Sequence, residues 1–160
     1  MEKTLKDNGT LIYEPVRVIE RKGKTVVGHK RTDSPWWLVL NVSESISAYY
    51  RWWMEKELNP LKLDKGFKLN SALWQNHITV LSGREEINEN FQQYWKKYNN
   101  EIIEFEYLPY VYQTWRFFCI PVKCKKLEDI RKELGLTSFI QRESSVFPDY
   151  HFHLTIGRLL

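Results

Sequence analysis

The sequence feature that most constrains the fold is the alternation in Tyr150–Ile156, near the end of the 160-residue chain. Successive side chains of a strand point to opposite faces, so this alternation predicts a strand with one apolar and one polar face. The apolar face requires a core and consists of Phe152, Leu154 and Ile156. The polar face consists of His151, His153 and Thr155. An imidazole and a hydroxyl two residues apart stand about 6–7 Å from each other, so both can touch one small anion.

A second copy of this pattern lies near the middle of the chain, at His77-Ile78-Thr79-Val80. Here His77 and Thr79 share one face of the predicted strand, while Ile78 and Val80 share the other. One His-apolar-Thr-apolar motif is a weak signal in a chain of ordinary composition. Two copies among only 4 histidines are a specific signal, and they predict two similar strands.

Each motif strand ends a strand–helix–strand unit. In the first unit, residues 36–42 are apolar on both faces, and a helix capped by Ser43 extends to about residue 58. In the second unit, a strand within 115–122 precedes a helix over about 127–134. The repeated order predicts an α+β fold with two lobes related by an approximate two-fold axis, each contributing one polar strand face to a shared cleft.

Two further segments lie outside these units. Residues 1–35 contain short apolar runs around a basic turn, which predicts a basic N-terminal hairpin extension before a main domain over residues 36–160. Within residues 1–35, the first apolar run predicts a strand at Leu11–Tyr13. Residues 86–98 carry apolar side chains at helical spacing, which predicts another helix before a half-exposed strand at Ile103–Tyr107.

Composition indicates a globular chain of one domain, with 42% apolar and 28% charged residues. The sequence contains neither a signal-peptide pattern nor a run of about 18 apolar residues, so we expect a cytoplasmic protein with no membrane association. Cys119 and Cys124 are not spaced for a zinc or redox motif, which predicts reduced, structural thiols.

Charge and aromatic content favour a phosphate-bearing partner. The net charge is +4, and the chain contains 7 Trp, 9 Tyr and 8 Phe residues. Exposed rings beside positive charge can stack nucleobases, so a nucleotide or RNA ligand is expected. For any single ring, filling the core is the more common explanation.

The paired motifs resemble those of the two-histidine (2H, LigT-like) phosphoesterase superfamily, over roughly Trp36 to Arg158. The strongest points of resemblance are Asn76-His77-Ile78-Thr79-Val80 and His151-Phe152-His153-Leu154-Thr155-Ile156-Gly157-Arg158. Within the superfamily, the stretch 148–155 looks most like the phage-encoded branch that degrades cyclic-oligonucleotide messengers of bacterial immunity (anti-CBASS nucleases), which would act in the host cytoplasm. The RNA-processing 2′,3′-cyclic phosphodiesterases and the 2′–5′ oligoadenylate phosphodiesterases are the alternatives.

The resemblance implies a bilobal fold, with two antiparallel-sheet lobes, outer helices and an active-site cleft between the lobes. It also implies a metal-independent phosphodiesterase without a cofactor, acting on a small, cyclic oligonucleotide. In that case His77 and His153 would be the acid/base pair, and Thr79 and Thr155 would hold the phosphate. No obligate protein partner is inferred.

These residue types suit the cleavage of a ribose phosphodiester. Imidazole titrates near pH 6.5, so one neutral histidine can remove a proton from the attacking oxygen while a cationic one protonates the leaving oxygen. Two threonine hydroxyls can donate to the non-bridging oxygens as charge develops on them. Which histidine is the base stays open, as do the nucleotide and the linkage.

Five residues beside the motifs are candidate substrate ligands: Trp74, Phe147, Tyr150, His151 and Arg158. Trp74 and Phe147 flank the motifs and are candidates for base stacking. His151 shares the face of His153, where it either binds phosphate or lies at the rim. Tyr150 would reach the cleft edge only from a bent strand. Arg158 lies on the face opposite Thr155, so a phosphate role for it requires a bend at Gly157.

Three rival interpretations remain. His151 and His153 can chelate a metal from one strand face, but no third ligand stands at a telling spacing, so no metal is predicted. The rings and basic charge also fit a non-catalytic RNA-binding module, which leaves the matched motifs unexplained. The third alternative is two ordinary half-buried strands whose polar faces meet water.

Overall fold

The computed structural model describes residues 3–21, 24–29, 34–58, 68–71, 76–138 and 147–159, and for residues 17–21, 24–29 and 58 it describes the backbone alone. The strands are β1 (Leu5–Tyr13), β2 (Arg17–Arg21), β3 (Lys24–His29), β4 (Trp37–Val42), β5 (His77–Ser82), β6 (Ile102–Tyr107), β7 (Tyr112–Thr114), β8 (Phe117–Lys123) and β9 (Phe152–Arg158). The helices are α1 (Glu44–Leu58) and α2 (Lys125–Glu133), with a 3₁₀ helix at Glu89–Tyr94.

Seven strands form one antiparallel sheet in the order β6-β1-β4-β5-β9-β8-β7. Strand β6 also pairs with β8, so six strands close into a barrel and β7 is an additional strand. Closure pairs strand edges that would otherwise be exposed. Strands β2 and β3 form a separate two-stranded sheet. The predicted α+β class is confirmed, in a form dominated by the sheet.

One row of side chains through four neighbouring strands lies at the centre of the core. Leu40, Ile78, Leu154 and Ile120 are paired in register across β4, β5, β9 and β8, and each is at most 1% exposed. Full burial stabilises each such side chain by about 1.5–3 kcal/mol relative to exposure. Because a slip of one residue would turn this row to the other face, the core fixes the register of both motif strands.

The first predicted unit is confirmed in its order of elements. Residues 37–40 of β4 are all buried, as expected for a strand with apolar side chains on both faces. The helix α1 begins directly after Ser43, whose Oγ accepts the Ser45 N–H at 3.3 Å. That bond satisfies one of the free donors at the helix N-terminus, so Ser43 is the predicted cap.

Helix α1 packs against the motif strand β9. The Arg51 Nη1 donates to the Ile156 carbonyl at 2.7 Å, and a Cβ added at Gly157 would lie 3.2 Å from the Arg51 side chain. The small residue at 157 therefore permits this close approach. Of the helices described, none is long and apolar enough to cross a membrane.

The predicted helix over residues 86–98 is wrong. The structure has the 3₁₀ helix Glu89–Tyr94 followed by turns, and none of its residues is buried. Asn88 accepts the Asn90 N–H at 3.0 Å, a local bond that competes with an α-helical start. At Lys96 the backbone has a φ of 66°, which ends helical geometry within the predicted span.

The first strand is longer than the sequence predicted and lies inside the main sheet. The prediction covered Leu11–Tyr13, whereas β1 begins at Leu5 and pairs with both β4 and β6. The first residues of β1 are mostly polar and largely exposed. The sequence there lacks the apolar alternation that marks a strand. The predicted basic hairpin corresponds to β2 and β3. The division of the chain at residue 35 stays a prediction.

Candidate active site

The two motif strands are neighbours in the sheet. Strands β5 and β9 run antiparallel, with Ile78 opposite Leu154. In an antiparallel pair the residues flanking a paired position also face each other, so His77 lies across from Thr155 and Thr79 across from His153. The structure therefore brings together the four predicted catalytic residues, which we call the quartet: His77, Thr79, His153 and Thr155.

The quartet occupies the face opposite the core row. All four side chains are half-buried, whereas Ile78 and Leu154 between them are at most 1% exposed. Facing positions of antiparallel strands have Cβ atoms about 4.5–5.5 Å apart, and diagonal positions about 7–8 Å. The two histidines stand on one diagonal and the two threonines on the other. These positions put two imidazoles and two hydroxyls on one face of the two neighbouring strands.

The strands on either side complete the surroundings of the quartet. Asn41 of β4 is paired with His77, and Cys119 of β8 is paired with Thr155. The Cys119 Sγ lies 3.7 Å from the Thr155 Oγ1, and either atom can donate. Sequence reasoning missed Asn41, although it is the one polar residue in the apolar run of β4.

A carboxylate holds His151 beside the quartet. The His151 Nδ1 contacts the Glu128 carboxylate of α2, and the two side chains are 26% and 19% exposed. A carboxylate at one ring nitrogen fixes the orientation of an imidazole. The predicted role of His151 as a phosphate ligand stays a prediction, and Glu128 is a residue that the sequence did not single out.

A buried arginine connects α2 to the strand β5. The Arg131 side chain is fully buried, and its Nη1 donates to the Val80 carbonyl at 2.7 Å. Its guanidinium also makes two bonds with the Glu85 carboxylate, at 2.7 and 2.6 Å, and donates from Nε to the Thr137 carbonyl at 2.9 Å. Val80 follows Thr79, so Arg131 fixes the backbone next to the quartet.

Two predicted substrate ligands, Phe147 and Tyr150, belong to a cluster of rings. The centroid of Phe147 lies 5.3 Å from that of Tyr110, 6.0 Å from Tyr112 and 6.4 Å from Tyr150. The Tyr150 N–H donates to the Phe147 carbonyl at 2.9 Å, so a turn joins these rings to the start of β9. Trp74, the other predicted stacking residue, lies outside the described residues.

The strand β9 has a shift of register next to Gly157, where a phosphate role for Arg158 would require a bend. Thr155 pairs with Cys119 and Gly157 with Phe118, so β9 has one extra residue between the two pairs. Beyond this shift, Arg158 is paired with Asn70 through two backbone hydrogen bonds of 2.9 and 3.0 Å. Its Nε donates to the Ser71 carbonyl at 3.4 Å. A phosphate contact by Arg158 stays a prediction.

Other candidate centres carry no comparable arrangement. Cys119 and Cys124 are buried thiols that are not joined by a disulfide, as expected for structural cysteines, and burial raises the pKa of the Cys124 thiol. Among the residues described, His, Cys, Asp and Glu form no group of three that could hold a metal ion. A cavity of about 310 Å³ lies between β6 and the start of α2, lined by both acidic and basic residues and by none of the quartet.

The geometry of the quartet is thus assembled from two sequence motifs and the pairing of their strands. Comparison of the chain with protein-family models, with curated protein sequences and with solved structures finds no match. The resemblance to the two-histidine phosphoesterases therefore depends on the motifs themselves.

Proposed function

We propose that the protein is a metal-independent phosphodiesterase of the two-histidine type, which cleaves a ribose phosphodiester of a small oligonucleotide. The observation that carries the proposal is the register of β5 and β9, with Ile78 opposite Leu154. This register gathers His77, Thr79, His153 and Thr155 on one half-buried face, although the two motifs lie far apart in the sequence.

The diagonal placement of the two histidines suits in-line displacement at phosphorus. One neutral imidazole takes the proton of the attacking oxygen, which is water or the ribose 2′-hydroxyl, as the new P–O bond forms. The other imidazole, cationic at the start, gives its proton to the leaving oxygen as the old P–O bond breaks. Each transfer contributes about 10²–10⁴ in rate.

The two threonines suit the charge that develops during this reaction. Their hydroxyls donate to the non-bridging oxygens of the phosphorus centre, and a neighbouring imidazolium adds positive charge. The contact between Cys119 Sγ and Thr155 Oγ1 orients one of these hydroxyls. A preorganised donor is effective because it needs no rearrangement during the reaction.

The order of elements supports a two-lobe form of the site. The half β1-β4-α1-β5 has the same order of strands and helix as the half β6-β8-α2-β9. The pairings β1–β4 and β4–β5 of the first half recur as β6–β8 and β8–β9 in the second. An exchange of the halves about the Ile78–Leu154 pair would replace each motif by the other, which supports the predicted two-fold relation.

The substrate is proposed to be a cyclic oligonucleotide, as the stretch 148–155 suggests by its likeness to the anti-CBASS nucleases. RNA with a 2′,3′-cyclic phosphate end and 2′–5′ oligoadenylate are the alternatives that the same quartet would serve. A panel of cyclic di- and trinucleotides, linear 2′–5′ oligoadenylate and RNA with a cyclic end separates them, with EDTA present and the products identified by mass.

The test of the mechanism compares His77→Ala and His153→Ala with His29→Ala. His29 lies in β3 of the separate two-stranded sheet and is a matched control. We expect each quartet variant to lower kcat by about 10²–10⁴ with little change in KM, and the control to retain full turnover. The proposal fails if no panel member is cleaved or if the quartet variants remain active. Binding of RNA without cleavage by the unmodified protein would instead indicate the binding module.

A further inference from the structure

The face that carries the quartet continues beyond it in one direction. Across the strands, Thr155 is paired with Cys119, and Cys119 is paired with Tyr112 of β7. Side chains at paired positions share a face of the sheet, so Tyr112 stands on the same face as His77 and Thr155. Two strand spacings separate Thr155 from Tyr112, which amounts to about 10 Å.

Four rings gather at this end of the face, and we call them the aromatic shelf: Tyr110, Tyr112, Phe147 and Tyr150. Phe147 contacts the other three at centroid distances of 5.3–6.4 Å. Tyr110 is 55% exposed and the other three are half-buried, so the shelf presents aromatic surface to solvent. Such surface beside a polar site is characteristic of a place where a planar, apolar group binds.

The opposite end of the same face has a different chemistry. His77 is paired with Asn41, and Asn41 is paired with Thr10 of β1. Both side chains are small, polar and half-buried. The site is therefore asymmetric, with a planar apolar region on the β7 side of the quartet and hydrogen-bonding groups on the β1 side.

From this asymmetry we propose that the aromatic shelf binds a nucleobase of the nucleotide whose phosphate lies at the quartet. The inference rests on the proposed function and adds the direction in which the substrate lies, with its base toward β7. A nucleobase fits because it is planar and because any base can stack on an aromatic ring. It is also joined to its phosphate through one sugar. The sugar then spans the space between Thr155 and Tyr112.

The shelf is tested by binding a fluorescent base analogue. The probe is 2-aminopurine ribonucleoside monophosphate, whose fluorescence is quenched on stacking, and ribose phosphate is its match without a base. We expect the probe to bind with quenching, and Tyr112→Leu and Tyr110→Leu each to weaken its binding by about 5- to 150-fold, the range of one base–ring stack. Binding of ribose phosphate should stay unchanged.

Tyr49→Leu is the matched control, because Tyr49 on α1 is 56% exposed and lies outside the shelf. Tyr110→Leu changes an exposed side chain, so it keeps the test valid should Tyr112→Leu impair folding. The inference is overturned if the probe binds unquenched, or if the shelf variants weaken ribose phosphate as much as the probe. It is equally overturned if the shelf variants bind the probe as the unmodified protein does.

The two proposals fail in different ways. If the protein is not a phosphodiesterase, no member of the substrate panel is cleaved, while quenching of the 2-aminopurine fluorescence by the shelf remains measurable. If the shelf does not bind a base, turnover of the panel substrates persists. A cyclic ribose phosphate that lacks a base is then cleaved as fast as its nucleotide counterpart, and the shelf variants do not change the rate of cleavage.

Discussion

The halves β1-β4-α1-β5 and β6-β8-α2-β9 meet along two seams of opposite character. In the β1–β6 seam the strands pair continuously from Leu5 opposite Tyr107 to Thr10 opposite Ile102. In the β5–β9 seam a single position is paired, Ile78 opposite Leu154. The first seam joins the halves through a continuous row of backbone pairs, whereas the second is paired at one position, and the quartet lies on the two strands of this second seam.

The difference teaches how a closed sheet accommodates a site. Six consecutive paired positions hold β1 and β6 together along their length. The single paired position between β5 and β9 supplies less of this backbone support. The strand β5 is then held from outside the seam, by the bonds of Arg131 to the Val80 carbonyl and to Glu85.

The largest expected effect follows from removal of the Arg131 bonds that hold β5 from outside the seam. Arg131→Met should lower the free energy of unfolding by about 3 kcal/mol, because it leaves Glu85 and two carbonyls without their buried donor. Amide hydrogen exchange should accelerate more in β5 than in β1, as measured by mass spectrometry. Lys132→Met, at the exposed neighbouring position, should change stability by no more than about 0.5 kcal/mol. Equal acceleration in β1 and β5 would contradict the comparison.

The next effect falls on β1, the strand of the β1–β6 seam that also pairs with β4. A Cβ added at Gly9 of β1 would stand 2.4 Å from the Asn41 carbonyl oxygen, so Gly9→Ala forces β1 and β4 apart. Overpacking of this kind costs about 1–3 kcal/mol, measurable by urea unfolding. Exchange should accelerate first in β1. Asn8→Ala, at the exposed neighbour, is the control and should be nearly neutral. Acceleration confined to β5 would show that the seams are not independent.

The pH dependence of stability tests the burial of Tyr13, the last residue of β1. Burial raises the pKa of Tyr13 to about 12 from the ordinary value of 10.0. The unfolded chain therefore loses this proton first, so the contribution of Tyr13 to stability is complete below pH 10 and is lost as the pH rises toward 12. Unfolding by urea at pH 8 and pH 11 should show a smaller loss in Tyr13→Phe than in the unmodified protein. Identical losses would place the Tyr13 hydroxyl in water.

The smallest effect concerns the entry to β9. Glu128→Gln should lower the free energy of unfolding by less than about 1 kcal/mol. The reason is that its partner His151 and the carboxylate are both partly exposed. Asp129→Asn, at the next position of α2, removes an exposed pair with Lys125 and is the control. A loss that persists unchanged in 1 M salt would argue against an ion pair.

The strands and motifs were predictable because their signals are local. Alternation around Ile78 and Leu154 indicates a strand whatever it pairs with, and Ser43 before α1 is a local cap signal. The pairing of β5 with β9 depends on the core row across four strands, which no local pattern reveals. The sequence therefore predicted the members of the quartet, while their facing arrangement came from the structure.

The misses share a physical cause, since each depends on distant contacts. Arg131 and Glu128 look like ordinary solvated charges of a helix, and only the packing of α2 shows that one is buried and the other contacts His151. The start of β1 is polar and is held in the sheet by pairing with β6. The helical spacing in 86–98 arises from rings that pack against other elements, as Trp95 does against Tyr13 at 4.7 Å.

The core row across β4, β5, β9 and β8 has a consequence for how such a protein can evolve. The relative positions of the quartet residues depend on hydrocarbon packing on the far side of the same strands. Under the proposed function, substitutions at the shelf or at Asn41 would change which molecule is accepted, while the spacing of the two imidazoles would be preserved. Ligand preference and acid–base geometry would then evolve independently of each other.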